Sequence, residues 1–204
     1  MIYIVDYGMG NLLSVKNAFS YNNIDAKITN DYKNIKNADK LVVPGVGAFS
    51  DCLQELKNRG LFDSILEFVK SGKPYLGICL GMQILFEKSF EFGINDGLGM
   101  IKGSIKKFPA FLIKNELKIP HMGWNNINIL SKSNLFKEVP GNSYYYFDHS
   151  FASFQIDENT AAICNYGIDF CAAIIKDNLF GLQFHPEKSQ RNGLKLIENF
   201  GRLL

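Results

Sequence analysis

The 204-residue chain has no run approaching 18 uninterrupted apolar residues, so no transmembrane helix is expected. Its opening, "MIYIVDYGMG", lacks a basic segment followed by an apolar stretch, so no signal peptide is expected. It has no CxxC pair. Cys52, Cys79, Cys164 and Cys171 stand apart, and reduced thiols in a cytoplasm are the expectation. Net charge is only +2, which excludes the basic footprint of a nucleic-acid binder and an acidic tail. The lysines (Lys33, Lys36, Lys40, Lys57, Lys70, Lys73) read as a solvated surface. No P-loop, HExxH or zinc-ligand spacing occurs, so neither a nucleoside triphosphatase nor a metal or other cofactor is indicated. "GMGN" fails as a dinucleotide fingerprint, because Leu13 stands where the third glycine would be needed. Repeats, low-complexity tracts and linkers are missing too.

What is present is ordinary in amount and specific in order. Hydrophobic residues make up 47% and charged residues 21%, which suits one globular domain over 1–204 that folds without staples. Strands are predicted at Ile2–Val5, Ala26–Thr29 and Lys40–Val43, and across "PYLGI". Helical spacing falls between them: Leu12, Val15, Ala18 and Phe19, then "SDCLQELKNRG" and "LFDSILEFVKSG", closing at Gly72. After "GIC", the run "LGMQILFEK" also has helical spacing. Apolar rather than alternating strands separated by helices imply a parallel sheet covered on both faces. The later segments "GSIKKF", "INIL", "SYYYFDHSF", "AAICNYG", "CAAIIK" and "LFGLQF" read as β, joined by short turns. A last helix is predicted over about 190–203. The fold class is therefore α/β: a mixed, mostly parallel central sheet flanked by helices, flavodoxin-like, with a β-rich second half.

In open α/β sheets the active site lies outside the carboxyl ends of the strands. Four segments occupy such ends: "DYGMGN", "PGVGAF", "GICLGMQ" and "FHPEKS". Gly-x-Cys-x-Gly at 77–81 fits a nucleophile elbow, a sharp strand-to-helix corner whose glycines avoid clashes and whose thiol sits at a helix N-terminus. Alone, this pattern is more often a buried cysteine between turn glycines. A thiolate needs a base, and there are only three histidines. His185 closes an apolar segment and is followed two residues on by Glu187, which can reach round the turn and fix its tautomer. The rival pair Asp148-His149 is adjacent on a predicted strand, so its side chains point to opposite faces. His121, in "PHMGWN", has no neighbouring acid. An oxyanion site would take the Leu80 amide and an amide from "PGVG", although "PGVG" alone reads as a plain strand-end turn.

Together, "PGVGAF", "GICLGMQ" and "FGLQFHPEKS" resemble the class I (triad) glutamine amidotransferases over nearly the whole chain. More narrowly, "DYGMGNL", "PHMGWN", "YYYF" and "HSF" resemble the glutaminase subunits of imidazole glycerol phosphate synthases. The resemblance implies that Cys79 attacks the side-chain amide of glutamine, His185 shuttles protons and Glu187 orients His185. It implies an oxyanion site at Val46, Gly47 and Leu80, and a substrate site at Gln83, Glu91, His149 and Ser150. It implies a heterodimer with a (β/α)8-barrel synthase subunit that receives the ammonia for histidine biosynthesis, with Asn11, Trp124, Tyr146 and Lys188 at the interface. A glutaminase with no visible acceptor-substrate domain must deliver its ammonia elsewhere, and the hypothesis that follows is a "PGVG" turn that offers no productive amide until the partner binds. Asp148 departs from the family pattern, in which this position is usually apolar, often valine. The alternative is a paralogous subunit feeding ammonia to a synthase for a surface or flagellar amino sugar. A dead-site binding protein or a cysteine peptidase on the same fold fits less well with the complete Cys79, His185 and Glu187 set and with "PHMGWN".

Overall fold

A computed structural model describes residues 1–114 and 116–203. Its spine is an eight-stranded sheet. The order is β2 (Ala26–Thr29), β1 (Ile2–Val5), β3 (Lys40–Gly45), β4 (Tyr75–Cys79), β14 (Leu179–Leu182), β13 (Asp169–Lys176), β12 (Thr160–Asn165) and β9 (Asn128–Ile129). From β2 to β14 all neighbours are parallel; β13, β12 and β9 continue the sheet antiparallel. A four-stranded sheet, β11 (Phe151–Ala152), β7 (Ile101–Lys107), β5 (Phe86–Ser89) and β6 (Asn95–Asp96), and a two-stranded ribbon, β8 (His121–Asn126) with β10 (Tyr144–His149), complete the β structure. The helices are α1 (Leu12–Tyr21), α2 (Tyr32–Lys36), α3 (Phe49–Asn58), α4 (Phe62–Lys70), α5 (Leu80–Gln83), α6 (Phe111–Lys114) and α7 (Gln190–Arg202). Among the described residues no helix is long and apolar enough to cross a membrane.

The near-continuous apolar strands follow from two cores. Successive side chains on a strand face opposite ways. Ile4 and Val42 pack with Phe19 and Phe200 on one side, while Val5, Leu41 and Val43 pack with Phe49, Leu53 and Phe68 on the other. Both faces are dry, so both parities must be apolar.

The segment after Cys79 departs from its helical spacing. The helix stops after one turn, at Gln83, and Phe86–Ser89 is a strand. Ile84, Leu85 and Phe86 are all buried, so the apolar set surrounds the chain instead of lining one helix face. Carbonyls a longer helix would use are taken elsewhere: Leu98 N–H donates to Ile84 O at 2.7 Å, and Met100 and Ile101 N–H both donate to Leu85 O at 2.9 Å. A single turn builds little macrodipole, less than the sequence pattern implies; what α5 offers Cys79 is its first free amides. "PHMGWN", not read as β from sequence, is strand β8, and only Asn128–Ile129 of "INIL" forms a strand.

Candidate active site

The carboxyl ends of β3, β4 and β14 meet. Gly45 and Cys79 are register partners on adjacent parallel strands, which sets the "PGVG" turn beside the thiol. Cys79 has φ 53° and ψ −104°, in the left-handed half of backbone space that costs a non-glycine residue about 1–3 kcal/mol. The glycines around it answer to packing. A Cβ on Gly77 would run into the Gly81 carbonyl, and a Cβ on Gly81 into the Val43 carbonyl. The corner therefore exists only if both positions lack side chains, as the elbow reading requires.

β14 ends at Leu182, three residues before His185. His185 is instead fastened to β10: its N–H donates to Tyr146 O at 2.9 Å, and the Ser189 hydroxyl donates to His185 O and accepts from Tyr146 N–H. Its Nδ1 lies 2.8 Å from Glu187 Oε1, and both side chains are buried. Burial alone would make the imidazole harder to protonate. The Cys79 sulfur and the Glu187 carboxylate outweigh it and raise the His185 pKa to about 10. Its Nε2 makes no protein hydrogen bond among the described residues, leaving it as the free end.

A cavity of about 140 Å³ opens in front of Cys79, lined by Val46, Gly47, Leu80, Gln83, Glu91, Asp148, His149, Ser150 and Phe151. All seven residues assigned to glutamine binding thus share one space. A wider groove of about 760 Å³ beside α7 shares no residue with it and holds none of Cys79, His185 and Glu187. Gly47 takes φ 97°, reachable for glycine, and Val46 is exposed. Glu91 Oε2 accepts from Phe49 N–H at 2.8 Å; burial raises its pKa, and that hydrogen bond opposes the rise. Gln83 spends its Nε2 internally, on Phe151 O and Gln183 Oε1, both at 3.0 Å, so it faces a substrate only as an acceptor.

His149 belongs to a chain the sequence did not reveal. Its Nδ1 is 2.8 Å from Phe151 O, which can only accept, so Nδ1 carries the hydrogen. Its Nε2, 3.1 Å away from His121 Nδ1, must then accept. His121 is left with an acceptor at Nε2, which meets Asn125 Nδ2 at 3.3 Å. Both rings are neutral in this arrangement; an added proton would set N–H against N–H. Burial lowers the His121 pKa to about 4; burial and then His121 lower that of His149 to about 3. A histidine that is harder to protonate when folded favours folding above its unfolded value of about 6.5, and that advantage shrinks as pH falls towards the folded value. Urea unfolding should therefore show stability falling between pH 6.5 and 4, by about 3 kcal/mol from His121 alone. His121→Gln should flatten that slope; an unchanged slope would contradict the pairing.

The residues assigned to a partner divide. Trp124 and Tyr146 meet edge to face with centroids 6.2 Å apart, and Lys188 Nζ lies 5.3 Å above the Tyr146 ring. Met122 and Trp124 on β8 are exposed, whereas the alternate residues Tyr145, Phe147 and His149 of β10 are buried. Asn11 stands apart, as the exposed N-cap of α1 accepting from Ser14 N–H at 3.3 Å. Asp148 is half-buried on the outer parity of β10, two residues from Tyr146, and also lines the cavity.

The family model described as "Glutamine amidotransferase class-I" matches residues 3–203, and the chain belongs to that family. Within it, the chain is 47% identical to the imidazole glycerol phosphate synthase subunit HisH of Geobacter sulfurreducens, over 99% of this chain and 98% of the relative. It is 48% identical to the subunit of the same name from Sulfurimonas denitrificans, over 98% of this chain and 97% of that one. Among solved structures, a glutamine amidotransferase superposes with a TM-score of 0.75 at 17% identity, covering 98% of this chain and all of the other. The glutaminase domain of Trypanosoma brucei CTPS, solved with bound acivicin, gives 0.64 at 15% identity, covering 98% of this chain and 92% of that one. At those identities the structures speak for the fold alone.

Proposed function

We propose that this chain is the glutaminase subunit of an imidazole glycerol phosphate synthase, hydrolysing L-glutamine and passing ammonia to a (β/α)8-barrel subunit in histidine biosynthesis. One observation carries the reading: near-full-length identity of 47–48% to HisH subunits, in a chain whose Cys79 lines an amino-acid-sized cavity and whose His185 is paired with Glu187.

The Cys79 thiolate attacks the glutamine amide carbon, and the carbonyl electrons move to oxygen. The Leu80 amide and an amide of the Val46–Gly47 turn face that oxyanion. His185, protonated at Nε2, gives its proton to the departing nitrogen; ammonia leaves and a thioester remains. Water, deprotonated by His185 Nε2, then adds to the thioester. The thiolate departs, and glutamate is released. Glu91 supplies a carboxylate for the substrate ammonium, Gln83 an acceptor, and His149 and Ser150 the wall opposite. Trp124, Tyr146 and Lys188 form the docking face, with aromatic anchors of the kind that dominate interfaces.

Mixing the chain with a histidine-pathway barrel subunit tests the reading. Glutamine turnover should rise roughly a hundredfold on mixing, about the worth of one oxyanion donor brought into place. Equal turnover by the free chain would remove partner gating. Failure to pair with that subunit, combined with pairing to a sugar-synthase subunit, would favour the paralogous reading. Asp148 supports that alternative, since it adds a carboxylate where the cavity meets the docking face.

A further inference from the structure

Gln183 is fully buried just beyond β14, and its side-chain amide reaches the nucleophile. Its Nε2 lies 3.6 Å from Cys79 Sγ, and its Oε1 accepts from Gln83 Nε2 at 3.0 Å. The two ends of an amide are alike in shape, and their hydrogen-bond partners decide which is which. Phe151 O can only accept, which fixes the Gln83 atom facing it as the NH2 group. That same nitrogen faces Gln183, so the Gln183 atom opposite it is oxygen. The remaining end, the NH2 group, points at sulfur. The backbone is pinned as well: Gln183 N–H donates to Ala172 O at 2.9 Å.

We propose that Gln183 is a further catalytic residue, an N–H donor that holds the Cys79 sulfur as a thiolate aimed at the substrate, with Gln83 as the positioning residue that sets which end of the amide faces it. A buried anion is costly unless hydrogen-bonded, and Cys79 is buried. An amide donor compensates the charge without competing for the proton that His185 handles. The bond matters twice, because sulfur is anionic before attack and again when it leaves the thioester. Gln83 thereby acquires a task besides touching glutamine.

The proposal rests on Cys79 being the nucleophile, and the test separates the two claims. The full chain is alkylated with iodoacetamide across pH 6 to 10, and the labelled residue is identified by mass spectrometry. Burial pushes Cys52, Cys164 and Cys171 each up to about 12, so label should collect at Cys79. If the native chain is not labelled there, the nucleophile assignment fails. If it is, Gln183→Met, which removes the donor, should react about three- to tenfold more slowly near pH 7, where fewer thiols are ionised. Above pH 9 it should react as fast or faster, because the freed thiolate is the better nucleophile. Gln183→Glu keeps the shape and the bond from Gln83, carries the test if Gln183→Met does not fold, and should lose more at neutral pH. A crossing of the two pH profiles is the signature; labelling accelerated at every pH would mark a loosened site and overturn the role of Gln183. Profiles of the variants that superimpose on the native one would overturn the role of Gln183.

Discussion

In a complex with the synthase subunit, Cys79→Ala is expected to abolish glutamine-dependent product formation, by about 10⁴-fold or more, while synthesis from ammonium salts is retained. The first half follows from the site. Without sulfur there is no thioester, and neither His185 nor the oxyanion amides can supply a nucleophile positioned on the amide carbon. The second half follows from the fold. The corner at 77–81 is held by Gly77 and Gly81 packing against backbone, not by the thiol, so alanine at 79 leaves β4, the "PGVG" turn and the ribbon β8–β10 in place. Alanine keeps the strained φ of 53° and its cost, so no gain in stability should hide the loss. Steady-state rates with glutamine and with ammonium chloride measure both halves. Loss of ammonium-dependent synthesis would mean that Cys79 does structural work. Retained glutamine turnover would mean that another group attacks.

The first half of the sheet was legible because burial on both faces writes itself into consecutive apolar residues: Ile2–Val5 and Tyr75–Cys79 are strands, and Lys40–Val43 extends to Gly45. The elbow was legible because backbone crowding at 77 and 81 permits only glycine. The region after it was not, since "ILFEK" satisfies a helical period and a buried strand equally, and the choice was made by the N–H groups of Leu98, Met100 and Ile101, which donate to the Ile84 and Leu85 carbonyls. The histidine pair was out of reach for a different reason. His121 and His149 are register partners across β8 and β10, 28 residues apart, and no local pattern reports such pairing. Gln183 did leave a trace: one amide interrupts the apolar run "LFGLQF". A polar group inside a buried segment must find a partner. The sequence could pose that requirement but not name Cys79 and Gln83 as the groups that meet it.

Glu187→Gln is the second large effect, and its interest lies in separating activity from stability. The substitution keeps the shape and removes the charge. The pair is buried, His185 Nδ1 sits 2.8 Å from Glu187 Oε1, and Glu187 Oε2 has no hydrogen-bond partner among the described residues. Glutamine turnover by the complex should fall by about 10²–10⁴-fold, because an imidazolium must form in the reaction and an amide neither stabilises it nor enforces one tautomer. KM for glutamine should stay close to native, since Glu187 does not line the cavity. Stability should respond differently. A histidine whose folded pKa is raised to about 10 stabilises the fold fully below its unfolded value of about 6.5 and loses that contribution as pH rises towards 10. Removing Glu187 removes one of the two groups that raise it. The variant should therefore show a shallower decline in stability between pH 6.5 and 10, with little change above that window, where native His185 is neutral as well. Desolvation supports this, because a buried neutral imidazole beside a neutral amide leaves no uncompensated charge. Urea unfolding at pH 7 and pH 10, set beside turnover, tests both parts. Native turnover would remove Glu187 from the mechanism. An unchanged pH slope would mean that Cys79 alone sets the proton affinity of His185.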